Sequence, residues 1–87
     1  MTECYRVEIS PKAQRQLRGL PKPLQKRIDA KIQALANNPR PPGVTKLQGA
    51  ENRYRIRVGH YRVIYSIADA ALLVLVLEVL NRREAYR

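Results

Sequence analysis

The fold of this 87-residue chain is decided by residues 53–67, which read RYRIRVGHYRVIYSI. Apolar or aromatic residues alternate with polar or charged ones on both sides of a Gly-His pair, a period typical of half-buried β-strands. Gly59 can adopt the positive φ that a two-residue hairpin turn requires. The segment therefore predicts two antiparallel strands in which Arg57 lies directly opposite Arg62.

This register sorts the side chains of the hairpin onto two faces. The apolar face carries Tyr54, Ile56, Val58, Tyr61, Val63 and Tyr65, and the opposite face carries Arg53, Arg55, Arg57 and Arg62. Like charges placed across a strand pair repel each other and weaken the sheet, so folding alone does not favour this arrangement. Guanidinium groups bind phosphates through paired hydrogen bonds. The arginine face is thus a candidate phosphate-binding surface, and the alternative is a merely solvated basic face.

Two helices are expected before the hairpin. Val7 and Ile9 alternate with charged residues as in a strand, and Ser10-Pro11 then provides a helix cap followed by proline at the first helical position. Gly19 should end this short helix. A second, longer helix is predicted from an apolar stripe at helical spacing, formed by Leu24, Ile28, Ile32 and Leu35.

After the second helix, residues 39–43 form a proline-rich loop. Beyond the hairpin, a three-residue turn at residues 69–71 should lead into an apolar strand over residues 72–79. That turn length pairs Arg62 with Glu78, for which we expect an ion pair. It also turns one set of strand residues toward the core, namely Leu73, Leu75, Leu77 and Val79.

These elements predict an α+β fold with the order β-α-α-β-β-β, in which two N-terminal helices pack on one face of an antiparallel sheet. At this length we expect a single domain spanning residues 1–87. A core of this size gives limited stability, so a permanent partner would stabilise the chain. The apolar strand at residues 72–79 and the excess positive charge favour an acidic, amphipathic partner segment.

Composition narrows the functional classes. Seventeen Lys and Arg residues stand against seven Asp and Glu residues, for a formal net charge of +10, which favours a polyanionic partner. Cys4 and His60 are the only residues of their types, so we expect neither a disulfide, nor a metal site or other cofactor, nor a Ser/His/Asp triad. The N-terminus lacks a signal peptide and the apolar run at residues 72–77 is too short to cross a bilayer. We therefore expect a soluble, cytoplasmic protein with no membrane association.

Three stretches in order along the chain resemble one protein family. They read KLQG at residues 46–49, YRIRVGHYRVIY at residues 54–65 and NRREAYR at residues 81–87, and together they resemble the RelE toxins of the RelE/ParE superfamily. The resemblance implies the toxin of a type II toxin–antitoxin system, bound by a RelB-like antitoxin whose complex with the toxin binds operator DNA. It also implies a metal-independent endoribonuclease, or mRNA interferase, that enters the A site of the small ribosomal subunit. There, a ribose 2′-hydroxyl would attack the adjacent phosphate of the messenger RNA, and translation would stop.

The resemblance assigns roles to particular residues. The implied catalytic residues are Arg55, Arg57, Arg62, Arg82, Arg83 and Tyr86, and the implied RNA-binding residues are Arg53, Lys46 and Arg87. Arginine can stabilise a phosphorane-like transition state but does not lose its proton at neutral pH. Tyr86 is therefore the candidate general base or proton relay, if nearby cations lower its pKa. Alternatively, the ribosome orients the RNA for attack and the toxin supplies charge.

Two other functions remain open at this point. The chain could be a ParE-like inhibitor of DNA gyrase that does not cut RNA, or a non-catalytic basic module that binds nucleic acid. The basic hairpin and Tyr86 favour the RNA-cutting function.

Overall fold

The computed structural model describes residues 4–49 and 51–81. The elements in chain order are β1 (Arg6–Ile9), α1 (Pro11–Arg18), α2 (Lys22–Ala34), β2 (Thr45–Lys46), β3 (Arg53–Val58), β4 (Tyr61–Ala68) and β5 (Leu73–Asn81), with a short 3-10 turn (Asp69–Ala71) between β4 and β5. The strands form one sheet in the order β1-β5-β4-β3-β2. The predicted α+β class is confirmed. The sheet is mixed rather than wholly antiparallel, because β1 runs parallel to β5.

Helix α1 begins as the sequence predicts. The Ser10 hydroxyl accepts a hydrogen bond from the backbone N–H of Ala13 at 3.1 Å, which satisfies one of the unpaired donors of the first turn. The same hydroxyl donates to the carbonyl of Leu77 at 3.0 Å. The cap therefore also ties the start of α1 to strand β5, and the helix ends at Arg18, directly before Gly19.

Both helices pack on the apolar face of the sheet. Their buried side chains are Ala13, Leu17, Ile28 and Ile32, and Leu35, directly after α2, is buried beside them. They pack in one cluster with the apolar side chains of the strands, which confirms the predicted helical stripe and the predicted core face of the hairpin. Tyr65 is fully buried in this cluster, and its hydroxyl donates to the carbonyl of Pro39 at 2.7 Å. The open face of the sheet is the face turned away from the helices.

The hairpin has the predicted register. Arg57 lies opposite Arg62, and Val58 lies opposite Tyr61 across a two-residue turn. Gly59 has a φ of 59°, the left-handed conformation expected for it. The alternation of the sequence is therefore sufficient to place the arginines of both strands on the open face.

The predicted pairing of Arg62 with Glu78 is wrong. Leu72 adopts a left-handed φ of 50° and belongs to the turn, so Ala68 pairs with Leu73 rather than with Leu72. A β-bulge then adds a second shift at the step between Ile64 and Tyr65. Arg62 consequently lies opposite Leu80.

Glu78 takes a different partner from the one predicted. It lies opposite Ile64 in the ladder and forms an ion pair with Lys12 at the start of α1. Because the longer turn moves the strand by one residue, the predicted core set of β5 is also partly wrong. Val74 and Val76 are buried in place of Leu73, Leu75 and Leu77, which are half-buried. The bulge restores the original alternation, so Val79 is buried as predicted.

Neither helix is long and apolar enough to cross a membrane within the described part of the chain.

Candidate nucleic-acid interface

Strand β3 presents arginine at every second position. Arg53, Arg55 and Arg57 alternate with buried apolar residues, so all three lie on the open face. Strand β4 adds Arg62 to the same face, since it is the ladder partner of Arg57. The open face of β3 and β4 thus carries cations from two hydrogen-bonded strands.

Three of these arginines line one cavity. The arginine pocket has a volume of about 290 Å³ and is lined by Gly43, Thr45, Arg55, Arg57 and Arg62. The structure therefore brings together side chains that were assigned a catalytic role from the sequence. Thr45 takes part because it pairs with Arg55 and shares its face.

The arginines of the pocket differ in depth. Arg62 is only 4% exposed and lies on β4, the central strand of the sheet, whereas Arg55 is half-buried and Arg57 is exposed. Charges act more strongly on one another where water is partly excluded. A phosphate entering the pocket would therefore interact most strongly with the cations at its base.

The acidic residues that the structure describes on the open face lie away from the pocket. Strands β3 and β4 contain no Asp or Glu. On the other half of the sheet, Glu8 Oε2 lies 3.6 Å from Arg6 Nη2, and Glu78 forms its ion pair with Lys12. No ion pair within residues 4–49 and 51–81 involves Arg53, Arg55 or Arg57. Among the described residues, the surface around the pocket thus carries positive charge, which focuses attraction for anions.

A clamp around Arg40 holds the proline-rich loop that forms the wall of the pocket. The guanidinium donates to the two carboxylate oxygens of Asp69 at 3.2 and 2.9 Å, and its Nε donates to the hydroxyl of Tyr54 at 3.2 Å. It also lies over the Tyr54 ring, 5.1 Å from the centroid. These contacts fix one end of the loop against β3 and the turn after β4, and Gly43 is at its other end.

The clamp is charged at neutral pH. Hydrogen bonds from Arg40 and then from the Tyr5 hydroxyl lower the pKa of Asp69 to about 2, and the bond to Asp69 raises the pKa of Arg40. The Tyr5 hydroxyl donates a hydrogen bond to Asp69 at 2.7 Å, and this bond raises the pKa of Tyr5. Burial raises the pKa of Tyr65 to about 12, so its hydroxyl remains a donor to the loop. This clamp was not predicted from the sequence, because its members are far apart in the chain.

Two of the residues predicted to bind RNA, Arg53 and Lys46, do not line the arginine pocket. Arg53 lies on the open face opposite Ser66 but does not line the cavity. Lys46 pairs with Tyr54, so it lies on the helix side of the sheet. There it lines a separate depression with Gln48 and other residues of the next turn.

The predicted tail residues Arg82, Arg83, Tyr86 and Arg87 lie outside the described residues. Asn81, the last residue described, lies opposite Tyr61, one ladder position beyond Arg62. The tail is thus attached next to the ladder position at which Arg62 pairs with Leu80.

Strand β2 was also missed from the sequence. Its two residues, Thr45 and Lys46, are too few to show an alternating pattern. The signal that was available is the set of turn residues Gln48, Gly49, Glu51 and Asn52, which precede β3 and bring Thr45 and Lys46 opposite its start. Within residues 4–49 and 51–81, no three His, Cys, Asp or Glu side chains are grouped so that they could hold a metal ion.

Comparisons with known proteins agree with this fold. The family model described as the ParE toxin of the type II toxin–antitoxin system matches residues 7–86. The curated protein RelE1 of Methanocaldococcus jannaschii, named as a toxin, is 28% identical over 86 residues, which cover 95% of this chain and 96% of that protein.

Solved structures show the same similarity. A chain of the archaeal RelE–RelB complex from Pyrococcus horikoshii is 34% identical, with a TM-score of 0.81 and coverage of 94% of this chain and 97% of that chain. A chain of a RelBE toxin–antitoxin complex from Mycobacterium tuberculosis is 26% identical, with a TM-score of 0.81 and coverage of 94% and 95%. The isolated RelE toxin of Escherichia coli is 26% identical, with a TM-score of 0.78 and coverage of 94% and 90%. The chain therefore belongs to the RelE/ParE superfamily of type II toxin–antitoxin toxins.

Proposed function

We propose that this toxin is a ribosome-dependent mRNA endonuclease that cleaves the messenger in the A site by attack of a ribose 2′-hydroxyl on the adjacent phosphate. The observation that carries the proposal is the convergence of Arg55, Arg57 and Arg62 in one pocket. Family membership and similarity to RelE proteins support it. Because the proposed substrate is messenger RNA on the ribosome, we also propose that the toxin acts in the cytoplasm.

The pocket suits the charge that develops in this reaction. Attack of the 2′-hydroxyl puts extra negative charge on the phosphate oxygens, and guanidinium groups already held in place stabilise that charge without reorganisation. The reaction also requires a proton acceptor for the 2′-hydroxyl and a proton donor for the leaving 5′-oxygen. Arginine does not provide these proton transfers. We assign proton transfer to Tyr86, with Arg82 and Arg83 adding charge. The tail that carries them starts at Asn81, beside the row of Arg62.

The test is translation of a defined message with purified ribosomes and purified toxin, followed by mapping of the RNA ends. We expect cuts at fixed codon positions whose upstream fragments end in a 2′,3′-cyclic phosphate or a 3′-phosphate. Arg62→Ala and Tyr86→Phe should each lower the cleavage rate, whereas Arg15→Gln on the exposed face of α1 should not. Intact message, or cuts unrelated to the reading frame, would exclude ribosome-dependent cleavage.

We also propose that a RelB-like antitoxin encoded beside this gene binds the toxin and that the pair binds operator DNA. The solved RelE–RelB relatives support the partner. Half-buried Leu73 and Leu75 on the open face offer apolar surface, and the net charge of +10 favours an acidic segment. Co-expression should yield a stable complex that retards DNA from the gene's own promoter. High yield of the toxin alone in a growing host would contradict the need for an antitoxin.

One observation favours a second function. The family model that matches the chain carries the name of the ParE toxin, so inhibition of DNA gyrase is the alternative. A supercoiling assay with purified gyrase separates the two functions. Inhibition of supercoiling without any cleavage of ribosome-bound message would establish the alternative and displace the proposal.

A further inference from the structure

A second cavity lies beside the arginine pocket. It has a volume of about 250 Å³ and lies between the end of α2, the proline-rich loop and strand β3. Its floor is apolar and includes the buried residues Leu35 and Ile56. Pro41 and Pro42 form one wall, so we refer to this cavity as the proline groove.

The polar residues that line the proline groove suit a nucleic acid. Lys31 and Arg57 are both exposed cations, and none of the described residues that line the cavity is acidic. Asn38 is the remaining polar side chain of the lining. Its oxygen already accepts a hydrogen bond from the backbone N–H of Arg40 at 3.2 Å. This bond orients the amide so that its NH₂ group can donate to a ligand.

The groove and the arginine pocket meet at the edge of the sheet. Both cavities are lined by Arg57 and Gly43. Strand β2 pairs with β3 at Tyr54 and Arg55, and Leu47 bonds to Arg53, so on that edge β3 has no described ladder partner from Ile56 to Val58. A Cβ atom added at Gly43 would have no neighbouring atom within 4 Å, so the space beside this residue is open. A strand of RNA can therefore pass around this edge from one cavity to the other.

We propose that the proline groove receives one base of the RNA whose scissile phosphate occupies the arginine pocket. This inference rests on the proposed nuclease function and adds a base-binding subsite to it. A base is flat with apolar faces, so it packs well between proline rings and aliphatic side chains, and its edge carries acceptors for the NH₂ group of Asn38. Arg57, which lines both cavities, neutralises the phosphate that joins the two nucleotides.

The experiment uses two matched substitutions on α2. Ala34 lines the groove and is exposed, so Ala34→Trp fills the cavity with little disturbance of the core. Ala30 lies one turn earlier, is also exposed and lines no described cavity, so Ala30→Trp is the control. Side chains on a helix lean toward its N-terminus, which directs the control side chain away from the groove.

Cleavage is measured on ribosomes programmed with messages in which one abasic nucleotide is moved stepwise past the cut site. For the unmodified toxin we expect one position at which the abasic nucleotide lowers the rate by about tenfold. Ala34→Trp should lower the rate on the normal message by a similar factor and show no further loss at that position. Ala30→Trp should behave as the unmodified toxin. Equal rates for both variants, or an undiminished abasic effect in Ala34→Trp, would overturn the subsite.

A binding measurement separates this inference from the proposed function. A short single-stranded RNA carries 2-aminopurine at successive positions, and its fluorescence reports stacking of that base on the toxin. A signal that Ala34→Trp abolishes and Ala30→Trp retains supports the groove even if no message is cut. Loss of antitoxin binding in Ala34→Trp with unchanged RNA binding would assign the groove to a protein partner and overturn the inference.

Discussion

Replacing Arg57 by glutamine should stabilise the fold while it weakens the proposed activity. Arg57 and Arg62 are ladder partners on the open face, so two positive side chains lie directly across from each other. Glutamine keeps a similar length and removes the charge at position 57. We therefore expect the free energy of unfolding of Arg57→Gln to rise relative to the unmodified protein.

The expected gain follows from the geometry of the pair. Like charges directly opposite each other in an antiparallel ladder destabilise it by ~0.2–1 kcal/mol. For a protein of this size, such a change raises the midpoint of thermal unfolding by roughly 1–8 °C. Arg57 is exposed, so salt screens the repulsion effectively. The gain should be largest near 0.01 M salt, where the Debye length is about 30 Å, and should vanish near 1 M salt, where it is about 3 Å.

Thermal unfolding followed by circular dichroism at both salt concentrations checks this expectation. Arg53→Gln is the matched control for stability, because Arg53 lies on the same strand and face but faces the uncharged Ser66. It should leave the midpoint nearly unchanged. A gain in Arg57→Gln that persists at high salt, or an equal gain in Arg53→Gln, would show that repulsion between facing arginines is not the cause.

The same substitution should reduce cleavage on ribosomes. A hydrogen bond to a charged group contributes about 1.5–3 kcal/mol, so loss of one contact between Arg57 and phosphate lowers the rate by roughly 10-fold to 100-fold. Stability and activity would then change in opposite directions. If the Arg57→Gln variant is both stabilised and fully active, the arginine face does not contribute to the nuclease function.

Three further predictions concern the fold that positions the site. Asp69→Asn should destabilise the protein at neutral pH. Because the folded-state pKa of Asp69 is lowered to about 2, the stabilisation is present above the unfolded pKa and is lost as the pH falls through the folded one. The gap in urea midpoint between Asp69→Asn and the unmodified protein should therefore narrow in acid, and a constant gap would contradict the role of the Arg40 clamp. Ile32→Ala should lower the free energy of unfolding in urea by about 2–5 kcal/mol, since Ile32 is fully buried, and a smaller loss would indicate a core that collapses around the vacancy. Ser10→Ala should cost about 0.5–2 kcal/mol in the same assay, because the hydroxyl caps α1 and donates to Leu77, and an unchanged midpoint would show that the cap contributes nothing.

Much of the arginine face could be predicted because its causes are local. Alternation over residues 53–65 assigns each side chain to a face, and the two-residue turn at Gly59 fixes the register without reference to the rest of the chain. The cap that Ser10 forms on α1 and the helical spacing of the apolar stripe on α2 likewise involve residues that are close together in the chain. The predictions for the hairpin and both helices are therefore confirmed.

Residues 72–79 were predicted less well because they are apolar at nearly every position. The register of an alternating strand can be predicted from the sequence, because only one register buries its apolar residues. A uniformly apolar strand fits several registers equally well. The left-handed Leu72 and the bulge between Ile64 and Tyr65 then moved the partner of Arg62 from Glu78 to Leu80. The parallel pairing of β1 with β5 was equally invisible, since it joins residues more than sixty positions apart.

The sequence by itself determined which arginines share a face, since the period of a β-strand is a property of its backbone. Only the tertiary structure decided what surrounds them. Gly43 and Thr45 reach the arginines because the clamp of Arg40 on Asp69 holds the proline-rich loop against the edge of the sheet. Lys46, one residue further, lies on the opposite side. Such contacts join segments that are distant in the chain, and their free energy exists only once the sheet and the helices have packed together.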